Sequence, residues 1–203
     1  SLYARLQHAI KQPESSLAEI GEIIEQDLAM SAKILQLVNS SFFGFFKNID
    51  SPSRAVSLLG LDTVKALVLC VGAFSELRPL ATSSFSATAL WHHSMIVAAY
   101  AKTIAQEESD SKEQIEQAFI AGLMHDIGKL LLFSTIPDSY LEAIELARAE
   151  QLTHCQAEYR VLNATHGDVG AYLLGLWGLP GSIVETAAFH HRLDSYPTPT
   201  FCT

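Results

Sequence analysis

The sequence predicts an all-α fold, and three observations carry that reading. Apolar residues recur at intervals of three and four along almost every stretch. Helix-starting and helix-stopping residues punctuate those stretches, and no period-two alternation persists long enough to make a strand. The third is composition: the 203 residues are 49% hydrophobic and only 17% charged. That balance excludes disorder and suits one good-sized domain or two small ones.

The elements follow in order. Ser16-Leu17-Ala18-Glu19 has capping-box spacing, and Leu17, Ile20, Ile23 and Ile24 continue at helical intervals. Met30 to Val38 repeats the pattern through Ile34, Leu35 and Val38. Ser51-Pro52 reads as a helix start with proline at the first helical position, and Gly60 as its stop. Asp62 then caps Thr63–Phe74, which is apolar nearly all round and therefore predicted to be buried. Between Arg78 and Ser86 the composition turns to Pro, Ala, Thr and Ser, the best candidate for an internal boundary, dividing the chain into 1–80 and 86–203. A long helix follows over Ala87–Glu107, then a polar turn through Ser109–Lys112. Further helices are predicted near Glu113–His125, Ser139–Gln151, His154–Asn163, His166–Trp177 and Gly181–His191. The tail Ser195–Thr200 is not helical and position 1 is not Met, so both ends read as cuts in a longer polypeptide.

Charge and cysteine usage narrow the function classes. Thirteen basic against 22 acidic side chains give a formal net charge of −9, which argues against nucleic acid or an anionic membrane surface as partner. Apolar stretches such as Ala66–Ala73 and Leu130–Phe133 fall far short of the ~20 residues of a membrane span. No basic-then-apolar leader opens the chain. Cys70, Cys155 and Cys202 are odd in number and share no CxxC spacing, which fits a reducing compartment and disfavours a thiolate zinc site. The expectation is a cytoplasmic globular protein.

The eight histidines are the unusual feature. His93 falls on the apolar stripe Ala89/Leu90, Ile96/Val97, Tyr100, Ile104, with His92 about 100° round from it. His125-Asp126 ends the run Ile115, Ala118, Phe119, Gly122, Leu123 and so delivers an adjacent His–Asp pair to a buried side. His166 leads Val169, Gly170, Leu173 and Trp177 at helical spacing. His190 and His191 both follow Ala187 on the inner face, and periodicity alone does not choose between them. Four helices thus aim imidazoles at an interior, with Asp126 beside them. Each histidine taken singly reads as a core residue bonded to a backbone carbonyl; the set reads as a metal site. Mixed nitrogen and oxygen donors suit iron, manganese, nickel or zinc, and a carboxylate bridging two ions supports metal-assisted phosphoester hydrolysis. His8, His92 and His154 have no stripe partners and read as surface residues.

The segment Ala121-Gly-Leu-Met-His-Asp-Ile-Gly-Lys-Leu130 closely resembles the signature of the HD superfamily of metal-dependent phosphohydrolases, with His93 at the position of its upstream histidine. Asp27–Ser40, Ile49–Gly60, Thr165–Ala171, Trp177–Pro180 and His190-His191 narrow the resemblance to the HD-related output domain, HDOD, over essentially residues 15–195. The resemblance implies a multi-helix HD-like bundle with an additional N-terminal helical subdomain. It also implies a bacterial signalling module working beside receiver, kinase or cyclic-dinucleotide-turnover domains. His93, His125, Asp126, His166, His190 and His191 stand at metal-ligand positions of the motif. Asp126 would be catalytic, and Lys129 stands where catalytic relatives contact phosphate; at a helix end it equally serves the helix dipole.

His190–Pro197 is similar to a shortened HD-GYP segment but lacks its glutamate and both glycines, which argues against cyclic-di-GMP hydrolysis. The further aspartate that closes the site of HD hydrolases has no match before Thr203, and Asp194 stands in a loop-like context. The preferred expectation is a signalling output module with a partial or degenerate metal site. The alternative is an active metal-dependent phosphohydrolase of a nucleotide-like or cyclic-dinucleotide phosphoester. A helix-turn-helix reading of Ser53–Leu69 is weaker, because Lys65 is the one base its second helix offers. Asn39 reads as a left-handed helix stop, and Phe42, Phe43, Phe45 and Phe46 as a packed cap or a partner surface.

Overall fold

The computed structural model of the chain describes residues 9, 17–26, 28–39, 43, 48–77, 82 and 84–195. Among these there are helices and turns and no strand, so the chain is all-α. The chain divides into two compact units, Ser1–Ala73 and Phe74–Thr203. The expectations placed on Ser16, Asp27, Ser40, Phe42, Phe45, Phe46, Cys202 and most of Arg78–Ser86 lie outside the described residues.

In the first unit α1 (Leu17–Glu25), α2 (Leu28–Val38) and α3 (Pro52–Leu59) pack on one another. Ile20, Ile24, Ile34, Val38, Val56 and Leu59 form their shared core. The start of α3 follows the sequence logic: Ser51 Oγ accepts from the Arg54 N–H, Pro52 holds the first position, and Gly60 ends the helix at φ 81°. Helix α4 (Leu61–Leu77) then begins at once, two residues ahead of the expected Thr63. Val64 and Ala66–Val71 of α4 are buried, so it is a core element with no recognition face for a DNA groove. Asn39 follows Val38, the last residue of α2. Its side-chain amide clasps the backbone of Ile49, donating to the carbonyl at 2.8 Å and accepting from the N–H at 2.7 Å. Phe43 is buried.

The second unit holds α5 (Ala87–Glu108), α6 (Lys112–Met124), α7 (Ile127–Thr135), α8 (Pro137–Glu150), α9 (His154–Leu162), α10 (His166–Leu176) and α11 (Gly181–Phe189), then a 3-10 turn at Leu193–Ser195. Helix α5 packs on α6, α8 on α9, and α10 on both α7 and α11, while α11 also meets α6. Ser86, Ser111, Thr153 and Thr165 cap four of these helices. Left-handed Gln151 and Asn163 end α8 and α9. Phe85 stacks on Phe133 at 4.1 Å and meets Tyr140 edge-on, tying α7 to α8. The sequence reading named no helix over 127–135, because the His-Asp break hides a second start behind the first helix.

One expectation is corrected on α5. Ile96, Tyr100 and Ile104 are 52%, 68% and 62% exposed, and the buried face runs through Leu90, Ser94 and Ala98 instead. The reason is how closely α5 and α6 cross: a Cβ on Gly122 would lie 2.8 Å from the Ala98 Cα. Only small residues fit that crossing, so the larger apolar side chains turn outward. The run Lys112–Thr135 is long and apolar enough by composition to cross a membrane, but it breaks at His125-Asp126 and is mostly buried in the protein.

Candidate metal centre

The buried run of α6 ends at Met124, and the chain turns through His125 and Asp126 before α7 begins. Asp126, at φ −103° and ψ 9°, breaks the helix and aims its carboxylate into the unit, where the residue is 1% exposed. Two residues on, Gly128 lets α10 come into backbone contact. A Cβ there would fall 1.9 Å from the His166 carbonyl oxygen and 2.8 Å from the Gly170 nitrogen. No other residue fits, and this contact seats the first turn of α10 against Asp126.

Around the carboxylate the structure gathers histidines from separate helices. On one side, Asp126 Oδ1 faces His166 Nε2 at 3.3 Å and His190 Nε2 at 3.5 Å. On the other, Oδ2 faces His125 Nε2 at 3.3 Å and His93 Nε2 at 3.6 Å. His191 stacks beside His190, ring centroids 4.1 Å apart. Donor atoms of Asp126, His166, His190 and His191 all lie within 4.8 Å of one another, as do those of His93, His125 and Asp126. All six metal-ligand candidates therefore meet, and both members of the His190/His191 pair join. His93 does not face an interior; its side chain is 55% exposed. His92 and His154 are exposed and outside the groups, as is Asp194 in its 3-10 turn.

The hydrogen bonds behind the rings fix their orientation. His125 Nδ1 donates to the Gly122 carbonyl at 2.7 Å and His190 Nδ1 to the Ala187 carbonyl at 2.9 Å. His166 Nδ1 donates to the Glu158 carboxylate at 2.7 and 2.9 Å, and the His166 backbone N–H donates to the same group at 2.8 Å. Each inner imidazole thus spends its Nδ1 proton on an oxygen and turns Nε2 toward Asp126. That is the tautomer a metal ligand needs, held from behind as metal-binding histidines are. Sequence reasoning missed Glu158. It is 1% exposed, and its signal was Val161 and Leu162 three and four residues on.

Asp126 Oδ1 is buried and accepts no hydrogen bond of good geometry. Beside it, His166 Nε2 and His190 Nε2 approach to 3.3 Å. Nitrogen lone pairs aimed at each other and at a carboxylate oxygen repel unless a proton or a cation lies among them. Burial works to raise the Asp126 carboxyl, but contacts with His125, His166 and His190 outweigh it and hold the group far below the usual carboxylate range. For His166, burial disfavours the charge, yet Asp126 and Glu158 outweigh it and push its pKa up. Burial first, then His190 and His166, bring His191 down to about 4, and burial also lowers His93. Lys129, one turn into α7, donates from Nζ to Asp126 Oδ2 at 2.7 Å.

An all-helical unit thus closes imidazoles from four segments around one buried aspartate, donor groups that could hold a metal ion. The family profile described as HDOD domain matches residues 1–193, and the chain belongs to that family. An HDOD domain protein of unknown function from Geobacter sulfurreducens is 27% identical with a TM-score of 0.71, covering 97% of this chain and 65% of that one. A Shewanella amazonensis SB2B protein with the provisional name of phosphohydrolase is 22% identical at a TM-score of 0.76, covering 98% of this chain and 70% of its own; that likeness shows the fold. An uncharacterized protein of Treponema pallidum (strain Nichols) is 29% identical over 192 residues, 95% of this chain. The chain spans 37% of the length of that relative.

Proposed function

We propose that the chain is a cytoplasmic HDOD signalling output module whose 86–203 part holds a divalent metal in a partial HD site. The observation that carries this reading is Asp126 Oδ1, buried without a hydrogen-bond donor inside a ring of Nε2 atoms. The donor set is His93, His125, Asp126, His166, His190 and His191. Its nitrogen and oxygen chemistry suits iron, manganese, nickel or zinc, and disfavours calcium or magnesium, which take oxygen ligands.

A bound ion would supply Lewis acidity and an activated water for a phosphoester. The protein's own residues do the rest. Gly122, Ala187 and Glu158 hold the rings in one tautomer, and the breaks at Asp126 and His190 bring the helix ends together. The signalling reading is preferred over the enzyme because Lys129, the candidate phosphate contact, is committed to Asp126. A net charge of −9 also disfavours capture of a polyanionic substrate. Membership of the family supports partners of the receiver, kinase or cyclic-dinucleotide-turnover kind, and the net charge of −9 argues against nucleic acid. The phosphohydrolase reading is favoured by one observation, the convergence of all six donors.

Metal analysis of protein purified without added metal, followed by phosphodiesterase assays with manganese and iron, tests both. Bound metal lost in His125→Ala or His166→Ala, with no turnover, supports the output module. Turnover abolished by Asp126→Ala selects the enzyme, and absence of metal in every preparation sinks both.

A further inference from the structure

We infer that Arg192 and Asp168 are a positioning pair for the site: their ion pair ties the end of α11, which carries His190 and His191, to the start of α10, which carries His166. This role rests on the metal-binding reading above, and it names what holds the two histidine-bearing helix ends in register.

Helix α11 has no glycine or left-handed residue to end it, since His190 follows it with right-handed backbone at φ −57° and ψ −19°. Its last four carbonyls find donors nonetheless. Thr186 accepts from the His190 N–H at 3.0 Å, and Ala187 accepts from His190 Nδ1 at 2.9 Å. Ala188 accepts from Arg192 Nη2 at 3.2 Å, and Phe189 accepts from the Arg192 N–H at 2.7 Å. The helix is therefore finished by a candidate metal ligand and by Arg192, whose cation also suits the negative end of the helix dipole.

The same Nη2 reaches across to α10 and donates to Asp168 Oδ1 at 2.6 Å. Asp168 divides its oxygens between two tasks. Oδ2 accepts from the Thr165 N–H at 2.8 Å and from Thr165 Oγ1 at 2.7 Å, closing the capping box of α10. Oδ1 is left for α11. Beneath the pair the backbones touch, because a Cβ on Gly167 would lie 2.9 Å from the Ala187 carbonyl oxygen. At this junction His166 Nε2 and His190 Nε2 approach to 3.3 Å, and the His191 ring stands 5.1 Å from that of His166. The two side chains are 42% and 41% exposed, so water screens the pair and it adds little to stability. Its effect falls on geometry: Asp168 stands two residues after His166, and Arg192 directly follows His191.

The test uses the full chain and Co(II), whose visible spectrum reports coordination geometry. Arg192→Ala is expected to bind Co(II) about 5-fold more weakly, with shifted visible bands. One nitrogen makes both side-chain contacts, so an ammonium can stand in for it, and Arg192→Lys should stay within about 2-fold of wild type. Asp168→Asn added to Arg192→Ala should weaken binding no further, since the pair is one link. Arg160→Ala is the control: it removes an exposed ion pair of the same kind, to Glu150, and should lose as much Tm with affinity and spectrum unchanged. Circular dichroism confirms folding, and Arg192→Gln carries the comparison should Arg192→Ala unfold. Unchanged affinity and spectrum in Arg192→Ala, or equal losses in Arg160→Ala, overturn the positioning role and leave the metal-binding reading standing. If no form binds Co(II), the metal-binding reading falls, and nitrogen–proton spectra of the histidine rings decide the pair. His166 and His190 resonances that move in Arg192→Ala and not in Arg160→Ala support it, and resonances unmoved in both overturn it.

Discussion

Glu158 is where a single side chain separates orientation from packing. Its carboxylate accepts both from the His166 ring and from the His166 backbone, deep inside the second unit. Glu158→Gln keeps an acceptor oxygen for Nδ1 at nearly the same volume, whereas Glu158→Leu leaves that proton unsatisfied. Second-sphere losses of this kind cost ~10- to 100-fold in metal affinity. The expected order by competitive chelation is wild type, then Gln about 10-fold weaker, then Leu about 100-fold weaker; equal affinities would make Glu158 a mere packing residue. The contrast between Glu158 and the histidines explains what was legible at this scale. An imidazole on an apolar stripe is an anomaly that periodicity exposes, and so His125, His166 and His190 could be read directly. A glutamate beside Tyr159 and Arg160 on a short helix is commonplace, and only its neighbour across the loop shows why it is buried.

At the scale of elements, the site depends on helix ends held in contact, and two predictions follow from how that is done. Gly128→Ala would place a Cβ 1.9 Å from a backbone carbonyl, an atom that no rotamer change can move. Helices α7 and α10 must separate, at a cost of about 3 kcal/mol by urea unfolding, and metal affinity should fall with stability because His166 moves with α10. A variant of unchanged stability would show that the crossing is not tight. The second prediction concerns pH. Burial first, and then Lys129, lower the pKa of His154 at the start of α9, where the helix dipole also opposes a proton. A histidine whose folded pKa is depressed contributes stability that is present above its unfolded pKa and is lost as pH falls below it. His154→Gln should therefore lose less Tm than wild type between pH 7.5 and 5.5. The exposed side chain limits the difference to a few tenths of a kcal/mol, about 1 °C. Most helices were legible from caps and spacing, since Ser51-Pro52, Gly60 and the three-and-four spacing of apolar residues state their positions locally. The buried face of α5 was not, because the close crossing at Gly122 and Ala98 is a property of two helices and no single-helix stripe records it.

For the whole molecule, the donors all belong to Phe74–Thr203, so whatever binds them acts on one unit of the chain. A ligand that binds only the folded form stabilises it by about 2.7 kcal/mol at 100 times its Kd, or about 8–10 °C in a unit of this size. Thermal unfolding with Mn(II) or Zn(II) should show that gain, and a chelator should remove it. A single transition cannot be assumed for a chain of two units, so hydrogen exchange supplies the location. Amides of 124–130, 165–171 and 187–192 should gain protection with metal, while those of α1 to α3 should not. The pH dependence has a definite sign, because the ligands bind as neutral imidazoles. As pH falls through the histidine range protons compete for the same lone pairs, and the metal-dependent gain shrinks. His166 competes first, since Asp126 and Glu158 raise its pKa, and His191, held near 4, competes last. A gain that persisted unchanged at pH 5, or protection appearing in α1 to α3, would place the stabilising ion somewhere other than Asp126.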